Sequence, residues 1–358
     1  MAARPLDYRV AGIVERCYAG LDAAQLRQDV LRRLRRIVPV DAAFFATVDP
    51  VTLLFTGAVA EDPLAAATPL FMDNEYGRAD VNKFASLAGA ADQITSLDRA
   101  TRGDRPASPR YREIMGPMGL GDELRAALVA EQRCWGVLCL HREDSSPGFS
   151  GQELRVVQRI APHLAEGLRR AVTLWADAGV PVAPDAPGTP GIIVLDANLE
   201  TASVSPEAEY WLAEIADPGS LTGSGLPVAV YAAAARLTRL RQQPDQPFLP
   251  SVRVRTRTGR WLAIHATYLT GPAGRQTAVV FEPASPAQLS SLFLSAYGLT
   301  QAQERVATLV LRGQSTRQIV GQLHISAHTV QEHLTAVFDR IGVRSRRELV
   351  ARLLAGRH

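Results

Sequence analysis

The sequence predicts a multi-domain α+β protein ending in a compact helical module. Three observations carry this. At 358 residues the chain exceeds one ordinary domain. A stretch with four prolines and three glycines in fourteen residues, AGVPVAPDAPGTPG, divides it near the middle. Three helix-capping signals then fall close together near the C-terminus, at Thr300, Ser315 and Ser345.

Composition narrows the class. Hydrophobic residues make up 47% of the chain and charged residues 21%, as in an ordinary soluble globular protein. The opening MAARPLDYRVAGIV lacks the basic start and apolar run of a secretion signal, and no run approaches about 18 apolar residues, so a cytoplasmic protein away from membranes is expected. The three cysteines, Cys17, Cys134 and Cys139, are scattered and suit a reducing compartment better than a disulfide framework. From Leu299 onward nine arginines face four acids, a local charge of +5 on a chain of net +3. A basic end on a near-neutral body is the outline of a nucleic-acid module joined to something else.

Taken in order, VERCYAGLDAAQLRQDVLRRLRRIVPV has helical spacing, with Leu26, Val30, Leu34 and Ile37 along one stripe. DAAFFATVDP reads as a strand, and DELRAALVAE with CWGVLCLHR reads as a hairpin. FSGQELRVVQRIAPHLAEGLRRAVTLW is a long helix with Leu154, Val157, Ile160, Leu164 and Leu168 on its apolar side. Beyond the linker, GIIVLDANLE is strand and turn, PEAEYWLAEI a short helix, and VRVRTRTGRWLAIHATYL and RQTAVVFEPA are strands. Strict alternation in VRVRTRTGR predicts a sheet with one wet face.

Near the C-terminus, Thr300 with Gln303, Ser315 with Gln318 and Ser345 with Glu348 each have the spacing of a capping box, and Gly313 is placed to end the first helix. Ile319, Val320 and Leu323 give the second helix a buried side, and His324 to Ser326 leave room only for a tight turn. Ser326 then caps a helix whose Val330, Leu334, Val337 and Ile341 form one buried stripe, with His333 beside it as a packed histidine. The opposite face exposes His328, Gln331, Glu332 and Thr335. Two helices around a three-residue turn, the second polar at its front end, form a helix-turn-helix, whose second helix fits the major groove. Gln331 suits adenine, Thr335 a base or a phosphate, and His328 can donate. Arg317, Arg344, Arg346 and Arg347 suit backbone phosphates, or else are ordinary surface arginines.

The segment closely resembles the LuxR-type helix-turn-helix family of transcription regulators. The matching residues are LT at 299–300, Val306, LVLRGQS from Leu309, Ile319, Leu323, IS at 325–326, TV at 329–330, His333 and IGVRSRRELVARL from Ile341. The resemblance implies a four-helix bundle whose third helix reads the major groove, with dimers on short inverted repeats and a contact with RNA polymerase. It places Ser326, Thr329 and Val330 at the DNA, Gln331 at the most exposed groove position, and Leu349, Val350 and Leu353 on a dimer-forming or supporting helix. Departures are Ala302 and Gln303 where arginine and glutamate are usual, Gln318, Ile319 and Val320 where EIA is usual, and Gln331 for a usual lysine. The last removes an expected phosphate contact and keeps a second class open: an interaction module that retains the fold without specific DNA binding.

Residues from about 14 to 175 resemble a GAF domain, chiefly through the hairpin and the helix after it. Those from about 189 to 284 are similar to a PAS domain. The fold class expected is therefore a GAF-like sheet-and-helix domain over 1–175, a Pro/Gly-rich linker over 176–188, a PAS-like α/β domain over 189–284, a linker over 285–297 and the helix-turn-helix bundle over 298–358. Both sensory families enclose small ligands or serve as ligand-free dimerisation and relay modules, and the residues leave both open. Double-stranded DNA, a second copy of the chain and a small-molecule effector of the GAF-like domain are the partners implied. Other inputs are excluded by chemistry. The only lysine, Lys83, does not follow a strand as a receiver domain needs, and there is no phosphate-binding glycine loop. No Trp, Tyr and Asp pattern of acyl-homoserine-lactone sensors is found. On a straight strand Cys134 points away from Cys139 and His141, so the cysteines read as buried small hydrophobes and no metal site is expected. Asp122 and Glu123 offer no paired-carboxylate geometry, and with no nucleophile motif the chain is not expected to be an enzyme.

Overall fold

The computed structural model describes residues 6–174, 187–215, 225–242, 251–271 and 274–355. The chain folds into two compact units, Met1–Ala171 with Ala183–Pro283, and Val172–Val182 with Ala284–His358. Most of the Pro/Gly-rich linker expected at 176–188 lies outside the described residues.

The first unit opens with α1 (Leu6–Cys17) and α2 (Ala23–Leu34). The sequence suggested one helical run here. Gly20 instead takes φ +70°, and Asp22 starts a new helix with a capping box closed by Gln25, so the run breaks in two. Leu26, Val30 and Leu34 are buried as expected, but Ile37 lies past the helix end and is only half-buried.

A five-stranded antiparallel sheet follows, made of β1 (Ala42–Val48), β2 (Phe55–Ala60), β3 (Ile94–Ser96), β4 (Leu120–Ala130) and β5 (Arg133–Glu143), in the order β2-β1-β5-β4-β3. The expected β4–β5 hairpin is present. Short helices α3 (Thr68–Met72), α4 (Phe84–Ala88) and α5 (Leu97–Thr101) lie between β2 and β4, with α3 running into a π turn at Asp73–Gly77. The long helix α6 (Gly151–Leu174) buries Leu154, Val157, Ile160, Leu164 and Leu168. Its approach to β5 is close enough that a Cβ on Gly136 would stand 2.4 Å from Leu168 Cδ1, so only glycine fits there.

The remainder of this unit is β6 (Gly191–Leu195), β7 (Thr201–Val204), α7 (Pro206–Ile215), α8 (Val228–Gln242), β8 (Ser251–Arg255), β9 (Trp261–Gly271) and β10 (Gly274–Pro283). Its sheet, β7-β6-β10-β9-β8, repeats the strand order of the first. Helix α8 was not foreseen. Residues Val228 to Ala235 are all buried, so this half of the helix has no wet face and no amphipathic period to betray it. It packs on β8, β9 and β10 on one side and on β2, α3 and the π turn on the other. Buried side chains of both sheets and of α8 form one continuous apolar cluster.

This shared core also overturns the wet face expected of VRVRTRTGR. Arg253 on β8 is buried, its Nε 2.7 Å from Asp49 Oδ2 and its Nη2 2.6 Å from Asp49 Oδ1, at the end of β1. The alternation holds, but Arg253 on that face meets Asp49 rather than water, while Arg255 is half-buried and Arg257 exposed. With 1% and 8% of their side chains exposed, both charges depend on each other.

The second unit holds α9 (Pro286–Ala296), α10 (Gln301–Leu311), α11 (Thr316–Leu323), α12 (Ala327–Ile341) and α13 (Arg346–Val350), which continues as a π turn through Ala355. The stretch 285–297, read as a connector, is helical: Ser285 and Gln288 close a capping box around Pro286 at the first helical position.

Asp49→Ala is expected to destabilise the first unit by about 3–5 kcal/mol in urea unfolding, because it removes the buried carboxylate that Arg253 Nε and Nη2 both meet. Adding Arg253→Met to that variant recovers most of the loss.

Candidate nucleic-acid interface and ligand pocket

In the second unit, Thr300 and Ser315 each accept the N–H three residues on while Gln303 and Gln318 reach back, closing two of the three expected boxes. The third closes on one side only. Ser345 accepts from Glu348 N at 3.2 Å, but the Glu348 carboxylate takes Arg344 N at 2.8 Å. Gly313 at φ +79° ends α10 as expected. Between α11 and α12, His324 takes the left-handed conformation at φ +54°, and Ser326 Oγ accepts Thr329 N at 3.0 Å. The turn is therefore three residues long. Val330, Leu334, Val337 and Ile341 are buried against α10 and α11, while His328, Gln331, Glu332 and Thr335 are exposed on the other face. His328 Nε2 lies 3.5 Å from Glu332 Oε1, and Thr335 Oγ1 donates to Gln331 O at 3.0 Å.

The first sheet carries a pocket on the side facing α3 and α4, lined by Phe44, Phe55, Phe71 and Phe84 together with Thr68, Met72, Glu75, Glu123, Arg125, Cys139 and His141. Its cavity measures about 30 Å³, room for a ligand of about the size of water. Strand pairing places the polar lining: Glu123 stands opposite His141 and Arg125 opposite Cys139. Arg125 Nη2 donates to Glu75 Oε2 at 2.7 Å, with its guanidinium carbon 3.8 Å from the Phe84 ring centre. Arg110 Nε donates to Glu123 Oε2 at 2.9 Å, and Arg110 N to Asp80 Oδ2 at 2.7 Å. Burial opposes ionisation of Glu123, but Arg110 and Arg125 outweigh it and hold its carboxyl at about 2. Burial lowers His141 to about 4, so the imidazole is neutral, and raises the Cys139 thiol to about 12. Asp122, next to Glu123, serves the backbone, accepting N–H groups of Asp98, Glu123 and Phe149.

The model of the family described as bacterial regulatory proteins, luxR family, matches residues 298–353, spanning α10 to α13. Residues 298–353 are a LuxR-family helix-turn-helix domain. The GAF domain model matches residues 22–168, which makes the pocket-bearing sheet a GAF domain. The chain is thus a DNA-binding regulator joined to a domain of the signal-sensing kind. No curated protein sequence matches it significantly. Among solved structures it is similar to the phycoerythrobilin-bound GAF domain of a cyanobacterial phytochrome, at 14% identity over 48% of this chain and 98% of that one, TM-score 0.36. It is similar also to the VqsR LBD domain from Pseudomonas aeruginosa, at 14% identity over 47% and 96%, TM-score 0.31. SdiA in complex with octanoyl-rac-glycerol is a third, at 9% identity over 98% and 96%, TM-score 0.37. These likenesses are too loose to bear on function.

Within the LuxR-family domain, Arg317, Ser326, His328, Gln331, Thr335, Arg344 and Arg347 are exposed, and Thr329 is half-buried. Val330 and Arg346 are placed differently. Val330 is 0% exposed, in the stripe that holds α12 down. Arg346 is half-buried, with Nη1 donating to Gln314 O at 3.2 Å and Nη2 to Thr316 Oγ1 at 2.9 Å, so its guanidinium ties α13 to the start of α11. Val320 and Leu323, expected on the buried side of α11, are half-buried beside the fully buried Ile319, because α11 meets its neighbours over a narrow line. His333 is likewise half-buried. Leu349 and Leu353 are buried.

In the GAF domain, the reading missed Glu123, Arg125, Glu75 and Arg110. The available signal was the paired polar residues at i and i+2 in both arms of an otherwise apolar hairpin. The orientation assigned to Cys134 also changes. A register shift between Leu128 and Val129 turns Cys134 into the same cluster as Val137 and Cys139.

Ser326→Ala removes the cap of α12 and is expected to lower the stability of the helix-turn-helix by about 1 kcal/mol, measured by thermal unfolding. Arg347→Ala, at an exposed position, changes it by less than about 0.5 kcal/mol.

Proposed function

We propose that the chain is a cytoplasmic, homodimeric transcription regulator whose α12 reads the major groove, with occupancy of the GAF pocket setting how the two copies present their recognition helices. One observation carries this reading: a fifteen-residue helix, capped by Ser326 after a three-residue turn, buries one stripe and offers His328, Gln331 and Thr335 on the other side. Gln331, Thr335 and His328 take base edges. Ser326 and Thr329 lie at the phosphates near the α12 N-terminus, whose free amides favour an anion. Arg317, Arg344 and Arg347 neutralise backbone charge. Helix α12 is itself near-neutral, with Glu332 on its exposed face, so the arginines of α11 and α13 supply the attraction and α12 the selection.

The sensory half comprises residues 1–175 as the GAF domain with its flanks and 189–284 as a PAS-like domain. The repeated strand order of the second sheet supports the latter. Among the described residues no helix is long and apolar enough to cross a membrane. In a dimer, two α12 helices on an inverted repeat stand about one helical turn apart, roughly 34–36 Å. The second unit, with α9 to α13, acts as a bundle around the helix-turn-helix, and its regulatory output is a change in transcription rather than a chemical product.

Salt-titrated mobility shifts separate the roles. Gln331→Ala is expected to relax preference at one base position, costing about 1–3 kcal/mol on the specific site while leaving random DNA unaffected. Arg344→Ala and Arg347→Ala each weaken both kinds of DNA and reduce the salt slope by about one. Equal losses on specific and random DNA for Gln331→Ala would contradict the assignment.

A further inference from the structure

The β4–β5 hairpin holds a donor cluster that the proposed DNA binding does not use. Glu123 and His141 face each other across the hairpin and Cys139 lies two residues from His141, so all three emerge on the pocket side of the sheet. One ligand atom from each lies within 4.8 Å of the other two, and all three residues are buried. We propose that Glu123, Cys139 and His141 bind a borderline divalent transition-metal ion of the zinc class, with a fourth coordination position open to the pocket.

The spacing is that of a site about to close. In a tetrahedral centre with metal–nitrogen and metal–oxygen bonds near 2.0–2.2 Å and metal–sulfur near 2.3 Å, neighbouring ligand atoms stand roughly 3.3–3.7 Å apart. Glu123 Oε1 and His141 Nε2 are 3.8 Å apart, close to that separation and too far for a hydrogen bond. Its Nε2 is therefore free to coordinate, while Nδ1 is buried without a hydrogen-bond partner among the described residues.

Glu123 is prepared in the complementary way. Arg110 holds Oε2 at 2.7 Å, while Oε1 lies 3.6 Å from Arg125 and 3.8 Å from His141. One oxygen fixed by a neighbour and the other left to coordinate is the arrangement of a ligating carboxylate. A set of one oxygen, one nitrogen and one sulfur donor excludes magnesium and calcium, which take oxygen, and favours zinc, cobalt or ferrous iron. Binding breaks the Cys139 S–H bond and releases the proton to solvent, so the thiolate offsets one of the two metal charges. Glu75, Asp80 and Glu123 already balance Lys83, Arg110 and Arg125; Asp80 is half-buried with its side chain covered, and the other five are buried. One positive charge is therefore left over, and the fourth ligand is a small anion such as hydroxide, of a size the cavity of about 30 Å³ admits.

The inference stands apart from DNA binding and is tested without it. Purified full-length protein, reduced and stripped with a chelator, is titrated with Co2+ while its absorption is followed. Expected are one equivalent per chain, a thiolate-to-cobalt charge-transfer band in the near ultraviolet, and displacement by Zn2+. The band disappears in Cys139→Ser and persists in Cys134→Ser and Cys17→Ser. His141→Gln, with native circular dichroism, binds Co2+ at least about tenfold more weakly. Absence of a saturable band in the native protein, a band that survives Cys139→Ser, or unchanged affinity in folded His141→Gln would each overturn the proposal.

Discussion

Helix α8 is apolar on every side from Val228 to Ala235, and a helix of that kind is stable in water only if something covers all of it. The alanines let backbones approach closely from two directions, and two sheets take those places. The middle sheet covers one side, while β2, α3 and the π turn of the GAF domain cover the other. Two regions that look like separate domains in sequence therefore share one core. The Asp49–Arg253 pair, shielded from water inside the same unit, fixes how β8 meets the end of β1. A buried ion pair adds little net stability but strongly disfavours arrangements that part its members.

This constraint bears on signalling. The elements that touch α8 also furnish the pocket: Phe55 comes from β2, Thr68 and Met72 from α3, and Glu75 from the π turn. A ligand that repositions any of them acts directly on the packing of the middle sheet. Close-packed interiors respond to such shifts by moving between discrete arrangements rather than by yielding smoothly. The polar lining is equally tied down, since Arg125 joins β4 to Glu75 and Arg110 joins Glu123 to Asp80.

How much of this was legible follows from the physics of each signal. The helix-turn-helix could be read because capping and a single apolar stripe are local, and Thr300, Ser315 and Ser326 cap where their spacing says. Helix α9 carried the same signal in Ser285, Pro286 and Gln288, masked by its resemblance to a connector. Helix α8 had no periodic signal to read. The fate of Arg253 was equally hidden, because alternation tells which residues share a face but not what covers it. The burial of Val330 and the bonds of Arg346 to Gln314 and Thr316 were not legible either, because they depend on how α11, α12 and α13 pack. In the pocket, Glu123 and His141 became neighbours only once hairpin register was known.

The central claim is that the GAF sheet and the middle sheet unfold as one body because α8 belongs to both. Native-state hydrogen exchange of the full chain, followed across a urea series, tests it most directly. The amides of β4 and β5 and those of β9 and β10 should converge on one opening free energy with one urea dependence. Exchange of β9 and β10 through a separate opening of lower free energy, with β4 and β5 still protected, would contradict the account.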